Sequence, residues 1–461
     1  MTSPDAISEI YASDIVSGFD IYKPEKMNDL FMRYGDQGAG FFGLIRSLGF
    51  EKEVALDDYG HYEEKRTHVS FKTANNESAP GAGVDMTLQL HADSLDGSGS
   101  TAKYYPRVFD TVMFPNEVVG YIVSITWNST VFDVVIRPYD VLDNIGAITA
   151  GDEIIIISSA FSEGSGQPES AIRGVWEYTN TAQIIKETVG YTGSEMVNQT
   201  WFNVTSKGQK IPAYYFLGQI DLDYRMQLKI DGALLFNKKT TNTSAVDATT
   251  GRLIKTTEGL IPYTRRVGHE QPYTVGSFDV ADFDDISLIL DQEHAGNFQL
   301  ALLGIKLHFE VEDVLKSYFM DTNINFTRQV VNDALFYGNE SLSASVNFKY
   351  LTKGERTWLF KRLGNFNNPQ TYGATGYDMP SMGVVLPINK KKDPVNKGMV
   401  ESIGCRYRGL GKYSRRMEIW SVGGAGEGIK VTEFDTRETF MRAHIGAHYR
   451  GGNQFVLIDP S

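Results

Sequence analysis

Residues 213–236, AYYFLGQIDLDYRMQLKIDGALLF, constrain the chain more than any other stretch. Ile220, Leu222, Tyr224, Met226, Leu228 and Ile230 alternate with polar residues, which suits a half-buried strand. The apolar character persists over 24 residues, far beyond the length of an ordinary strand. Read with a 3.6-residue period, the segment instead carries two stripes. One holds Leu217, Ile220, Tyr224, Leu228 and Leu235; the other holds Leu222, Met226, Ile230 and Ala233. Pro212 precedes the first turn, and Ala-Leu-Leu-Phe closes the run. We read a long helix over 213–236, packed between two layers. Such a helix obliges the rest of the chain to bring apolar surface to both of its sides.

The chain can do so. It has 461 residues, enough for two to four lobes, with 41% hydrophobic and 22% charged residues. Its 44 basic and 57 acidic residues leave a net charge of −13. That balance excludes a dedicated nucleic-acid binder, whose affinity comes from Lys and Arg releasing counterions. It leaves room for a local basic face. A single cysteine, Cys405, excludes a disulfide framework or a cysteine zinc site within one chain, and we read it as a small buried side chain. The first twenty residues have neither the basic start nor the apolar centre of a secretory signal. The runs IIIISSAF and LALLGIKLHF are too short to span a bilayer, so no membrane contact is expected.

The remaining elements predict an α+β chain. KPEKMNDLFMRYG reads as a helix, with Pro24 in its first turn and Gly35 at its end. Residues 51–83 read as two extended arms with a polar return. Residues 85–170 read as short strands, two around Asn128-Ser129 and one entered through Ala150-Gly151-Asp152. LTKGERTWLFKRLGN predicts a helix, with Thr352 and Glu355 as a capping box, Lys361 and Arg362 in the last turn, and Gly364 at the end. Strands are expected at ALLGIKLHFEV, SLSASVNFKYL, MGVVLPI, RMEIWSV and NQFVLID.

Motifs for chemistry are sparse. His444 and His448 have helical i, i+4 spacing, but Ile445 stands where a zinc protease needs Glu. Gly424, Gly426 and Gly428 lie between two predicted strands, not before a helix that could cradle phosphate. Asp279, Asp282, Asp284 and Asp285 lack calcium-loop spacing and read as a solvated acidic surface. Asp221 and Asp223 are a poor acid/base pair, being two residues and about 160° apart on a helix. No catalytic centre, cofactor or metal is expected. One charge feature stands out: Lys390, Lys391, Lys392, Lys397, Arg406, Arg408, Lys412, Arg415 and Arg416 fall within 27 residues, opposed locally by Asp393 and Glu401 only. They suit a solvated loop, a neighbouring subunit's acidic patch, or nucleic acid held without base reading.

The segment YTNTAQIIKETVGYTGSEMV, preceded by AFSEGSGQPES and followed some 40 residues later by ALLFN, resembles the major capsid proteins of tailed bacteriophages with the Hong Kong 97-like fold. The matching positions are Asn180, Gln183, Ile184, Val189 and Gly193, then Ile220 to Phe236. The chain's length and style are also similar to capsid proteins of crAss-like phages. The resemblance is sharp over about 75 residues and elsewhere covers layout. It implies an N-terminal arm (1–45), an extended loop (46–84), a β-rich insertion or elaborated loop (85–170), a peripheral domain (171–260) with a spine helix at 213–236, a mainly axial domain (261–430), and terminal strands (431–461) returning to the peripheral domain. It implies a non-enzymatic subunit, made in the host bacterial cytoplasm, that forms pentamers and hexamers of an icosahedral shell. Portal and auxiliary or head-fibre proteins would be its partners, with packaged double-stranded DNA held without sequence specificity. Arms unable to bury both faces alone would pack on neighbours. The 24 Tyr and 26 Phe would anchor such contacts at low entropic cost. A tail or baseplate protein is the competing structural reading, and a hydrolase using Asp221 and Asp223 the enzymatic one.

Overall fold

The structure is a computed structural model, and it describes residues 40–64, 70–168, 174–194, 203–206, 209–320, 349–353, 355–367, 378–388, 391–392, 397–424 and 432–460. The helix expected at 24–35, Asn325 to Asn347 of the chain, Lys390, Gly426 and Gly428 lie outside the described residues. The chain forms two compact units, one of 1–61 with 178–461 and one of 62–177.

The first unit is organised around the long helix. Its helices are α1 (Phe41–Ser47), α2 (Ala213–Phe236), α3 (Leu260–Val267), α4 (Val280–Gln292) and α5 (Ile305–Met320). In α2 the Leu222, Met226, Ile230 and Ala233 stripe is buried, while Ile220, Tyr224 and Leu228 of the other stripe are half-buried.

One sheet runs in the order Glu51–Val54, Ile403–Leu410, Thr436–Tyr449, Gln183–Thr192. The 14-residue Thr436–Tyr449 strand is its spine. Along one edge it pairs antiparallel with Gln183–Thr192 over ten positions, Gln183 opposite Ile445 and Thr192 opposite Thr436. Along the other it meets Glu418–Gly423 and then Ile403–Tyr407. A second sheet runs His269–Tyr273, Val456–Pro460, Gly383–Pro387, Phe298–Leu303, Arg356–Arg362, Lys349–Lys353. Successive residues of a strand point to opposite faces. Leu300 and Leu302 accordingly join the core that contains α2 and the first sheet, whereas Ala301 and Leu303 join a core with α4 and α5 residues such as Phe283, Ile286 and Leu307. This sheet is buried on both faces, which explains its unbroken apolar runs.

The second unit holds a six-stranded sheet, Phe71–Lys72, Glu153–Ser159, Asp110–Met113, Val119–Trp127, Phe132–Pro138, Met86–Gln89. Its core includes Phe71, Leu88, Ile122 and Ile154. Asn128 accepts the amides of Thr130 and Val131 and closes the expected turn. Gly151, at φ 95°, makes the turn before the isoleucine run.

Several expectations are corrected. LTKGERTWLFKRLGN is a hairpin of Lys349–Lys353 and Arg356–Arg362, not a helix. Trp358, Leu359 and Phe360 are all buried; consecutive burial needs two covered faces, and a strand central to a sheet supplies them. ALLGIKLHFEV is a strand only to Leu303, after which α5 begins at Ile305. Gly304 makes that switch in one residue because a Cβ there would sit 2.3 Å from the Pro380 carbonyl oxygen. The boundary at 84/85 falls inside one sheet, since Phe71–Lys72 and Met86–Gln89 belong with the strands of 110–159. The boundary at 430/431 does not separate the sheets either. Ile403–Leu410 pairs with Thr436–Tyr449, whereas the terminal Val456–Pro460 strand lies in the other sheet beside Gly383–Pro387. Non-local pairing, invisible in local sequence, decides both.

Candidate functional site

Two of the positions that carried the resemblance, Asn180 and Gln183, meet at one junction, and Gly193 lies at the other end of the ten-residue strand. Asn180 donates from Nδ2 to the carbonyls of Ala447 at 2.8 Å and Glu258 at 3.1 Å, and its Oδ1 accepts the Glu258 amide at 2.8 Å. Gln183 Oε1 accepts from Asn237 Nδ2 at 2.7 Å and from the Thr257 amide at 3.3 Å. Two side chains therefore satisfy backbone groups of the segment between α2 and α3 and of the long central strand, groups that would otherwise be costly to bury. Val189 packs against the core around α2. Gly193 donates its amide to the Asp435 carbonyl at 2.9 Å, and a Cβ there would fall 2.2 Å from the Asp435 carboxylate. Ile184 points outward and is 46% exposed. The junction positions backbone; it does not gather reactive groups.

Sequence reading missed the strongest polar anchor, Asp231. It is fully buried on α2. Its carboxylate accepts the amides of Gly40 at 2.8 Å and Phe42 at 2.6 Å, at the start of α1, and Asn365 Nδ2 at 2.9 Å. Burial pushes its pKa up, against these donors, which pull it down. The signal was a lone acid one turn before Leu235, on an otherwise apolar side of the helix.

The basic segment is divided by the fold. Arg406 is buried and donates to Glu401 Oε1 at 2.9 Å, while Lys52 Nζ reaches Glu401 Oε2 at 2.7 Å. Burial raises the Glu401 pKa, but Lys52 and Arg406 outweigh it and hold the carboxyl below its usual range. Arg408 pairs with Asp57, Arg416 with Glu51, and Arg415 approaches Glu418 at 3.8 Å. Among the described residues, four of the nine charges thus have acids within the chain. Two of those acids, Glu51 and Asp57, are brought near by the parallel pairing of Glu51–Val54 with Cys405–Arg408. Lys391 lies in a short strand with Lys392 and donates to Gln454 Oε1 at 2.7 Å. Lys397 and Lys412 are exposed. Asp279 caps α4, accepting the amides of Ala281 and Asp282, and Asp282 returns the bond; Asp284 and Asp285 are exposed on the same helix.

The other candidates have structural partners. Cys405 is buried, and burial pushes its thiol up. His444 and His448 lie on a strand, not a helix, which puts them about 13 Å apart. His444 Nε2 is 3.3 Å from Asp57 Oδ1, and His448 Nε2 is 3.1 Å from His61 Nδ1. Asp221 pairs with Arg225 and Asp223 accepts from Gln227, both one turn along α2. Gly424 sits where Glu418–Gly423 turns toward Thr436–Tyr449. Among the described residues no three His, Cys, Asp or Glu side chains converge as metal ligands, and no helix is long and apolar enough to cross a membrane.

No family model and no curated protein matches the chain. Among solved structures it is similar to a protein of Mycobacterium phage Adephagia, with 9% identity and a TM-score of 0.43 over 98% of this chain and 99% of that one. It is similar to a protein of Gordonia phage Cozz, with 9% identity and a TM-score of 0.42 over 100% and 98%. It is also similar to a chain from the capsid of a native GTA particle, with 8% identity and a TM-score of 0.39 over 98% and 100%.

Proposed function

We propose that the chain is the major capsid protein of a tailed bacteriophage, a Hong Kong 97-like subunit that self-assembles into an icosahedral shell around double-stranded DNA. The observation that carries this reading is the Asn180–Gly193 segment. Its polar positions lock the entry to a ten-residue strand ladder against the end of α2, the arrangement a non-catalytic motif of that family would need. In this reading α2 is the spine helix, and the sheet of Gln183–Thr192 and Thr436–Tyr449 is peripheral. The sheet of Phe298–Leu303 and Gly383–Pro387, with α4 and α5, is axial, and 62–177 is an elaborated extended loop. Portal and auxiliary proteins are implied partners. Contacts of the basic segment with neighbours or DNA would fall to its five lysines, Lys390, Lys391, Lys392, Lys397 and Lys412, because the four arginines already have intrachain acids.

Negative-stain electron microscopy of the expressed chain tests the reading. Closed shells, or pentamers and hexamers that close when concentrated, are expected. Tubes or rings would replace it with the tail or baseplate reading, and a lasting monomer at high concentration would overturn it.

A further inference from the structure

The sheet of the second unit closes on itself. Thr73 bridges Leu90, and the His91 amide meets the Lys72 carbonyl at 2.9 Å, so the end strands Phe71–Lys72 and Met86–Gln89 join and make a barrel. Such a barrel buries its inner side chains and leaves the outer ones to water. Around Met86–Gln89 the outer positions are polar, with Thr87, Gln89 and Asp133. On the opposite side they are not. Strand pairing sets Ile155 beside Met113 and Met113 beside Val119, and the Tyr139 amide bonds the Val119 carbonyl. One step along, Thr111 lies beside Tyr121, whose ring centre is 5.3 Å from that of Tyr139. Ile155, Ile157 and Tyr139 are 45%, 47% and 50% exposed, and Val141 and Leu142 continue the apolar surface past the strand end. The charged pair on this face, Arg137 and Asp85, is matched internally through two bonds of 2.7 Å.

A continuous apolar face of this kind marks an interaction site, and its size and charge say what fits it. Four strands by about four residues cover roughly 250 Å². A standard interface takes about 800 Å² from each partner, so this face alone is too small to hold a second copy and suits a short segment. The charge is one-sided. Residues 62–177 carry seven Lys and Arg against sixteen Asp and Glu, which is −9 of the chain's −13. At the Tyr139 end, Glu117, Asp140 and Asp143 make no ion pair among the described residues. Two such units repel each other, and so would nucleic acid. We infer that this outer face of the barrel binds a basic, apolar peptide segment of another protein. Its apolar side chains would cover Ile155, Ile157 and Tyr139, and its Lys or Arg would reach Glu117, Asp140 and Asp143, an arginine also lying over the exposed Tyr139 ring. The inference stands on the second unit and does not need the shell reading.

The test pans the full chain, immobilised at low salt, against a random peptide library. Enriched peptides should combine Lys or Arg with aliphatic or aromatic residues. A labelled synthetic copy of the most enriched peptide is then titrated with the full chain by fluorescence anisotropy. Ile155→Ser with Ile157→Ser should weaken its binding at least about tenfold. Glu117→Gln, Asp140→Asn and Asp143→Asn together should weaken it at least about fivefold at low salt and flatten its salt dependence. Asp140→Asn keeps the oxygen that accepts the Leu142 amide, and none of the five side chains belongs to the barrel core, so circular dichroism should be unchanged. Enriched peptides without a basic bias, or binding indifferent to both sets of changes, would overturn the inference. So would isoleucine changes that alter self-association in sedimentation velocity while peptide binding stays intact.

Discussion

Replacing Asp231 with leucine removes an acceptor while keeping the branched shape of the side chain. The Phe42 amide and Asn365 Nδ2 are left facing an apolar group, at about 1–3 kcal/mol each. The Gly40 amide is only partly buried, can turn to water, and adds under about 1 kcal/mol. Against this, leucine carries no charge to desolvate, which offsets about 1–2 kcal/mol. The expected net loss is about 2–4 kcal/mol, a large share of the 5–15 kcal/mol typical of a folded domain. Equilibrium urea unfolding of the unassembled subunit reads it as a lower midpoint at unchanged slope. Because α1 depends on this carboxylate for its first amides, the Phe42 amide should also lose hydrogen-exchange protection before the centre of α2 does. Asp231→Asn keeps one oxygen and should cost about half as much. A leucine variant within about 0.5 kcal/mol of the natural protein, or an asparagine variant as damaging as leucine, would refute the reasoning.

Further predictions concern the first sheet and the switch into α5. Glu401→Ala leaves Arg406 buried without its acid and should cost about 3–5 kcal/mol by urea unfolding, whereas the double change to Glu401→Leu and Arg406→Met should recover most of it. Gly304→Ala forces a methyl onto the Pro380 and Met379 carbonyls and should lower stability by about 1–3 kcal/mol. His444 and His448 are held below their ordinary 6.5, chiefly by burial and then, for His448, by Arg406 and Arg450. A depressed histidine contributes stability that is fully present above the unfolded value and is lost as pH falls through it. The unfolding free energy from urea titrations should therefore drop below about pH 6.5, at up to about 2.7 kcal/mol per pH unit for two protons, and His448→Gln should roughly halve the slope.

The long helix was legible because both of its stripes are local. The buried stripe is visible as Leu222, Met226, Ile230 and Ala233 whatever the tertiary partner. The Lys349–Arg362 hairpin was not, because Thr352 and Glu355 mimic a capping box. In fact Thr352 is a strand residue opposite Thr357, and Glu355 stands at the turn with φ 62°. The start of α5 was hidden for a similar reason: an apolar strand runs into an apolar helix with only Gly304 between them. The site divided along the same line. Asn180 and Gln183 could be singled out by their setting in the chain, but their partners Ala447 and Glu258 could not. The basic segment looked unopposed because Glu51 and Asp57 lie some 350 residues away and arrive only through parallel strand pairing.

The polar anchors have a consequence that the apolar core cannot supply. Leu222, Met226 and Ile230 repeat at one-turn spacing, and a helix that slid by one turn, about 5.4 Å, would offer neighbouring apolar surface to the same sheets. Hydrophobic burial distinguishes weakly between such registers because it scales with area, not direction. Asp231 distinguishes strongly: its carboxylate has three directed donors from α1 and Asn365, and a slip of one turn would leave them all unmet. Just past the C-terminal end of the helix, Asn237 binds Gln183 and repeats the constraint on the strand side. Two hydrogen-bonded points, six residues apart, fix both the position and the rotation of α2. The apolar stripes provide the energy of the packing, and these two points choose which of the similar packings is native.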